Sequence, residues 1–122
     1  MDKFKAAFEI LYFLSAIDGK VSDSELKIII DFLKANQSKI NFDPAKAIKS
    51  IGLLNGDGIF DEFKRATIHF KEASSAQDRI NLLDFAFELI ASDGKITDEE
   101  GKMFFIIGNS WDINMKKYLN NN

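Results

Sequence analysis

Six carboxylates recur at matching places in two short stretches of the chain. SAIDGKVSDSE, residues 15–25, supplies Asp18, Asp23 and Glu25, and IASDGKITDEE, residues 90–100, supplies Asp93, Asp98 and Glu100. Oxygen donors of this kind suit Ca²⁺, Mg²⁺ or Mn²⁺ better than softer metals. The second half of an EF-hand calcium loop reads Asp, Gly, any residue, Ile, three more residues, then Glu. Both DGKVSDSE and DGKITDEE follow that order. The first half is missing, because ligand positions one and three would fall on Leu14 and Ala16, or on Leu89 and Ala91. One copy alone offers too few oxygens. A metal site would need acids gathered from both copies, or one copy plus water.

Helix-start chemistry accounts for part of the same pattern. Ser22 with Glu25, and Thr97 with Glu100, have the spacing of a capping box, in which each partner satisfies a free backbone donor of the other. Val21 can pack on Leu26 as a hydrophobic staple, whereas Gly101 leaves Ile96 without an equivalent partner. Asp23 and Asp98 fall in a first turn, where the helix dipole favours an acid. Asp18 and Asp93 are different. Each precedes a glycine that ends a helix, where the dipole disfavours negative charge by a few tenths to about 1 kcal/mol. Either each accepts hydrogen bonds from its own loop or a nearby lysine, or something cationic offsets it.

These loops need helices to position them, and helical spacing runs through the whole chain. Phe4, Phe8, Leu11 and Ser15, with Ala7 and Leu14 alongside, predict a helix over about residues 2–18 that stops at Gly19. A second covers about 23–36, with Leu26, Ile29, Ile30 and Leu33 facing inward. Asp43 and Pro44 cap and open a third, which ends at the turn sequence NGDG. A fourth over about 59–73 is expected to bury Phe60, Phe63, Thr67 and Phe70. Ser75 and Asp78 cap a fifth, carrying Ile80, Leu83, Phe87 and Ile90 inward until Gly94. A sixth spans about 98–108, loosened by Gly101 and Gly108, and a short seventh follows Asp112. No segment alternates with period two over a convincing length. The fold class is all-α, a compact bundle of about seven helices, in a single domain over residues 1–122.

Shifted by 75 residues, positions 8–33 and 83–108 share eight identities over 26 places, among them Asp18/Asp93, Gly19/Gly94, Asp23/Asp98 and Glu25/Glu100. An internally duplicated helical hairpin is the economical reading, with the third and fourth helices as its connection.

Composition narrows the functional classes. The 122 residues include 46% apolar and 29% charged side chains, 12 Phe and no Cys, with a net charge of −3. A chain of this size and mix can bury its own core without metal or disulfide staples. Without cysteine there is no thiol nucleophile, thiolate metal site or disulfide framework. No basic stripe favours nucleic acid. The apolar runs are too short to insert in a membrane, and MDKFKAAFEI has no signal-peptide pattern, so a cytoplasmic protein is expected. No nucleophile elbow or phosphate-binding glycine loop occurs, and no enzymatic activity is expected. His69, the single histidine, reads as a partly exposed helix residue, and Trp111 as a packing anchor. The phenylalanines, Phe105 among them, read as core. NGDGIFDE fails as a further calcium loop because Lys64 stands where a terminal Glu is needed.

At its two repeated loops the sequence resembles the tellurite-resistance TerB-like family. That family carries an Ala-x-x-Asp-Gly-x-[Val/Ile]-[Ser/Thr]-x-x-Glu signature at the turn between two helices, in two related halves. Here Ser15 and Ile90 replace the alanine. The resemblance implies a compact bundle, often of seven helices, and no enzymatic activity. It further implies a divalent-metal site on Asp18, Glu25, Asp93 and Glu100, with Asp23 and Asp98 as neighbours. It places the chain in a chemical-stress response, in an assembly with stress-response or membrane-associated partners. The alternative reading is a metal-free interaction module whose acidic loops meet a basic protein.

Overall fold

The computed structural model describes residues 2–17, 19 and 21–120. Among them are seven α-helices and no strand: α1 (Lys3–Ala16), α2 (Asp23–Ala35), α3 (Pro44–Gly52), α4 (Gly56–Ala73), α5 (Ala76–Ala91), α6 (Asp98–Ser110) and α7 (Met115–Asn120). A single 3-10 turn, Gln37–Lys39, follows α2. The expected all-α fold with seven helices is what the chain adopts.

Side-chain caps set most helix starts. Asp2, Ser22, Asp43, Asn55, Ser75 and Thr97 each accept a first-turn backbone N–H. One start differs from expectation. The NGDG segment is not a turn ahead of a helix at Ile59. Asn55 Oδ1 accepts the Gly58 N–H at 2.9 Å, and α4 begins inside the segment at Gly56. The cap, with the long packed helix behind it, outweighs the roughly 1 kcal/mol that each glycine costs a helix.

Helix α1 is the centre of the bundle. Residues 6–11 are all buried, a run of more than one and a half turns that leaves no side of the helix open at its middle. α4 lies most extensively along α1, with α2, α5 and α6 around the remaining sides. Aromatic pairs join the neighbours. Phe13 of α1 meets Phe63 of α4 edge-on at 5.6 Å, Phe32 of α2 meets Phe85 of α5 at 5.6 Å, and Phe87 of α5 meets Phe104 of α6 at 5.7 Å. Such pairs add about 0.5–1.5 kcal/mol each beyond the area they bury.

Several side chains expected inside are not. Leu26 and Ile30 of α2 are 44% and 40% exposed, while Ile29 and Phe32 are the residues that α2 buries. Phe60 of α4 is 55% exposed and Phe105 of α6 is 42% exposed. In each case the apolar stripe is wider than the surface its neighbours cover. Phe63, Thr67 and Phe70 are buried as expected, and so is Trp111, whose indole N–H donates to Thr67 O at 3.0 Å. His69 is half-buried.

Gly108 does not loosen α6. A Cβ built there would lie 2.0 Å from Met115 Sδ, so the missing side chain is what lets α7 pack against α6. α6 closes with the Ile113 N–H on Gly108 O at 3.0 Å and the Asp112 N–H on Asn109 O at 3.1 Å, Asp112 adopting φ 61°. That reversal returns the chain to start α7. The Tyr118 hydroxyl then donates to Asp84 Oδ1 of α5 at 2.6 Å.

Candidate functional site

The two repeated loops have the same local geometry in the parts described. α1 ends at Ala16 and α5 at Ala91. Three residues on, Gly19 and Gly94 take positive φ values of 97° and 85°. Their N–H groups return to Ala16 O at 2.9 Å and Ala91 O at 3.0 Å. No atom lies within 4 Å of a Cβ built at either glycine, so the dihedral rather than space requires glycine there. Each helix therefore stops about two residues earlier than the sequence suggests. Asp93 stands in the turn beyond the helix, exposed, and its Oδ1 accepts the Lys95 N–H at 3.2 Å. Its own loop supplies the partner that the helix end denies it. Asp18 lies outside the described residues.

Both capping boxes are formed, and they match closely. Ser22 Oγ accepts the Glu25 N–H at 3.2 Å, and Glu25 Oε1 accepts the Ser22 N–H at 2.9 Å. Thr97 Oγ1 and Glu100 Oε1 repeat both distances. Glu25 is 5% exposed and Glu100 2% exposed. The two glutamates are thus buried at helix starts, each with one carboxylate oxygen engaged by backbone. Asp23, Asp98 and the neighbouring Glu99 remain exposed.

The loops also meet. Ser92 Oγ, at the end of α5, is hydrogen-bonded to Ser24 Oγ in the first turn of α2 at 3.1 Å, and Ser24 Oγ is 3.1 Å from Ser22 Oγ. This hydroxyl chain fastens one loop to the other across 68 residues of sequence. Neither Ser24 nor Ser92 stands out in the sequence. The two serines occupy non-equivalent places in the repeat, where Ser24 corresponds to Glu99 and Ser92 to Ile17. No comparison of one copy with the other would pair them.

Asp23 near one end of the serine chain and Asp93, Asp98 and Glu99 of the other loop are exposed. The loops do not form a metal cage from the described residues. Among them, no three His, Cys, Asp or Glu side chains stand where they could share an ion. Glu25 and Glu100 belong to the helix starts, while Asp93 spends one oxygen on Lys95 N. Of the expected set, Asp23, Asp93 and Asp98 are the accessible acids among the described residues.

Glu9 is a further acid that spacing does not single out. It lies on α1 and is 3% exposed, and its Oε1 has no hydrogen-bond partner. The sequence does hold a signal for it. Glu9 sits between Phe8 and Ile10 in a helix that is apolar on all sides, so any acid there must be buried.

Among the described residues no helix is long and apolar enough to cross a membrane. The family model for tellurite resistance protein TerB matches residues 5–117, nearly the whole chain. No curated protein and no solved structure matches the chain. With its seven-helix fold and two glycine-turned acidic loops, the chain belongs to the TerB family.

Proposed function

We propose that this TerB domain is a non-enzymatic binding module whose working surface is the joined pair of acidic loops, and that its ligand is a basic segment of a partner protein. The observation that supports this most is the Ser24–Ser92 hydrogen bond, which links the end of α5 to the first turn of α2. Asp23, Asp93, Asp98 and Glu99 are exposed on those loops. Carboxylates that stay solvated and spread over a surface suit several separate lysine or arginine contacts better than one shared ion. The setting would be a chemical-stress response of the tellurite-resistance type, in an assembly with other proteins of that response.

A second reading, a divalent cation held between the loops, draws on the same convergence. A metal site of this chain would need acids from both copies, and the serine bridge brings the copies together. Asp18 would have to complete the donor set.

Thermal melting separates the two. Melts are run with chelator and then with millimolar Ca²⁺, Mg²⁺ or Mn²⁺, since a ligand at 100 times its Kd stabilises by about 2.7 kcal/mol. The interaction reading expects indifferent melting, together with salt-sensitive binding of a lysine-rich peptide that is lost in Asp23→Asn/Asp93→Asn/Asp98→Asn. A cation-dependent rise abolished by Asp93→Asn would replace it with the metal reading. Peptide binding that neither salt nor the triple substitution weakens would remove it.

A further inference from the structure

A groove of about 720 Å³ is lined by residues of α1, α2, α5 and α7, and none of them belongs to the acidic loops. Its size falls in the range of about 300–1,000 Å³ usual for small-ligand sites. Phe4 and Ala7 of α1, Phe32 of α2, and Leu82 and Phe85 of α5 supply its apolar part. Phe32 and Phe85 stand edge-on there, with ring centres 5.6 Å apart. Asp78, Asn81, Phe85 and Glu88 recur at helical spacing and all line the groove, so it follows one face of α5. From Asp78 to Glu88 that face is about 15 Å long, at 1.5 Å per residue.

The charges of the groove are sorted by end. At the Asp78 end, Lys3 Nζ is 3.1 Å from Asp78 Oδ2 and 5.1 Å from the centre of the Phe4 ring. Lys39, in the 3-10 turn after α2, holds its Nζ 5.6 Å from the centre of the same ring. The other end carries Glu88, with Asp84 one turn earlier on the same helix, and Asp84 Oδ1 accepts the Tyr118 hydroxyl. Lys39 and Glu88 are exposed, and among the described residues neither has an ion-pair partner. Asn36 and Asn81 also line the groove. Asn36 uses its Nδ2 on Phe32 O, and Asn81 uses its Oδ1 on Gln77, which leaves an amide acceptor and an amide donor for a ligand.

We propose that this groove binds a short apolar peptide with free ends, its C-terminal carboxylate at Lys39 and its N-terminal ammonium at Glu88. An extended chain advances about 3.3 Å per residue, so four or five residues cover the distance. Apolar side chains would lie on the phenylalanine rings, and the two asparagines would meet the peptide backbone. The sorted charges disfavour the obvious competitors. A fatty acid would satisfy Lys39 and leave Glu88 unpaired, and a lysine-rich segment of the kind that suits the loops would be repelled at Lys3 and Lys39. This site is therefore separate from the loop surface and takes a different ligand.

The test is an NMR titration of the whole chain with the free tetrapeptide Leu-Ala-Phe-Ala, its N-acetyl form and its C-amide. The free peptide should saturate and should shift the amides of Lys39, Asn81, Phe85 and Glu88, leaving those of residues 21–25 and 92–99 in place. Blocking either end should weaken binding about two- to fivefold, the range of an exposed ion pair. Lys39→Gln should weaken the free peptide by that factor and leave the C-amide unaffected. Glu88→Gln should do the same for the free peptide and the N-acetyl form. Asp23→Asn/Asp93→Asn/Asp98→Asn, which removes lysine-rich peptide binding at the loops, should leave this affinity unchanged. The proposal is overturned if the free peptide does not saturate at millimolar concentration, or if the doubly blocked peptide binds as well. It is also overturned if Lys39→Gln weakens the C-amide as much as the free peptide, or if the shifts lie in the loops. Binding that amidation weakens but acetylation does not would overturn it too, because the groove would then read a protein C-terminus.

Discussion

The two glycines of α6 should respond to alanine in opposite directions. At Gly101 a Cβ would meet only Ile96 Cγ2, at 3.9 Å, an ordinary contact. The backbone there is not in the left-handed region. Gly101→Ala should therefore gain the helix-propensity difference of about 1 kcal/mol, roughly 3–6 °C in Tm for a chain of this size. The new methyl would also begin to supply the staple that Ile96 lacks. At Gly108 the Cβ would fall 2.0 Å from Met115 Sδ, 2.9 Å from Cε and 3.0 Å from Cγ. Met115 is 4% exposed, so it has little room to turn away. Overpacking of this kind costs about 1–3 kcal/mol, against the same propensity gain of about 1 kcal/mol, and a 2.0 Å approach to a buried side chain belongs at the upper end of that range, for a net loss of up to about 2 kcal/mol. A cycle with Met115→Ala isolates the clash: that truncation should cost clearly less in the Gly108→Ala background than in wild type. Thermal or urea unfolding of the four chains reads all of this. A Gly108→Ala chain that melts above wild type, or additive behaviour with Met115→Ala, would refute the reasoning.

Three further predictions concern contacts that tie helices to one another or to their loops. Thr97→Ala removes the hydroxyl that accepts the Glu100 N–H, and should lower stability by about 1 kcal/mol in urea titrations. Tyr118→Phe deletes the 2.6 Å bond to Asp84 and should cost about 1–2 kcal/mol. Burial and Asp84 hold that phenol protonated beyond its ordinary range, so its ultraviolet phenolate signal should be missing from alkaline titrations of the folded protein. Asp78 has a lowered carboxyl pKa, first through the Ser75 N–H and then through Lys3 at 3.1 Å. A lowered folded value means stability that is present above the ordinary 3.8 and lost as pH falls. Asp78→Asn should therefore flatten the acid limb of the stability curve.

The helices were legible because their signals are local. Caps such as Ser22, Asp43, Ser75 and Thr97 lie within three residues of the donors they satisfy, and each does so in the fold. Which flank of a stripe is covered is not local. Leu26 and Ile30 share an apolar face with Ile29, yet α5 reaches only far enough to bury Ile29 and Phe32, and spacing within α2 cannot report that. The acids divide in the same way. The roles of Glu25 and Glu100 follow from four-residue motifs. The joining of the loops depends on Ser24 and Ser92, which periodicity does not mark. Glu9 is a different case: the spacing of Phe4, Phe8 and Leu11 marks one side of α1, whereas the buried run at residues 6–11 goes all the way round and takes Glu9 with it.

The central claim is that both loops act as one acidic binding surface. An amide-resolved NMR titration tests it directly, adding a lysine-rich peptide at low salt and then each divalent cation. The account predicts that the peptide shifts signals of residues 21–25 and 92–99 together, with one affinity, and that Ser24→Ala/Ser92→Ala weakens the joint response. Shifts confined to one loop, or two loops titrating with unrelated affinities, would contradict it.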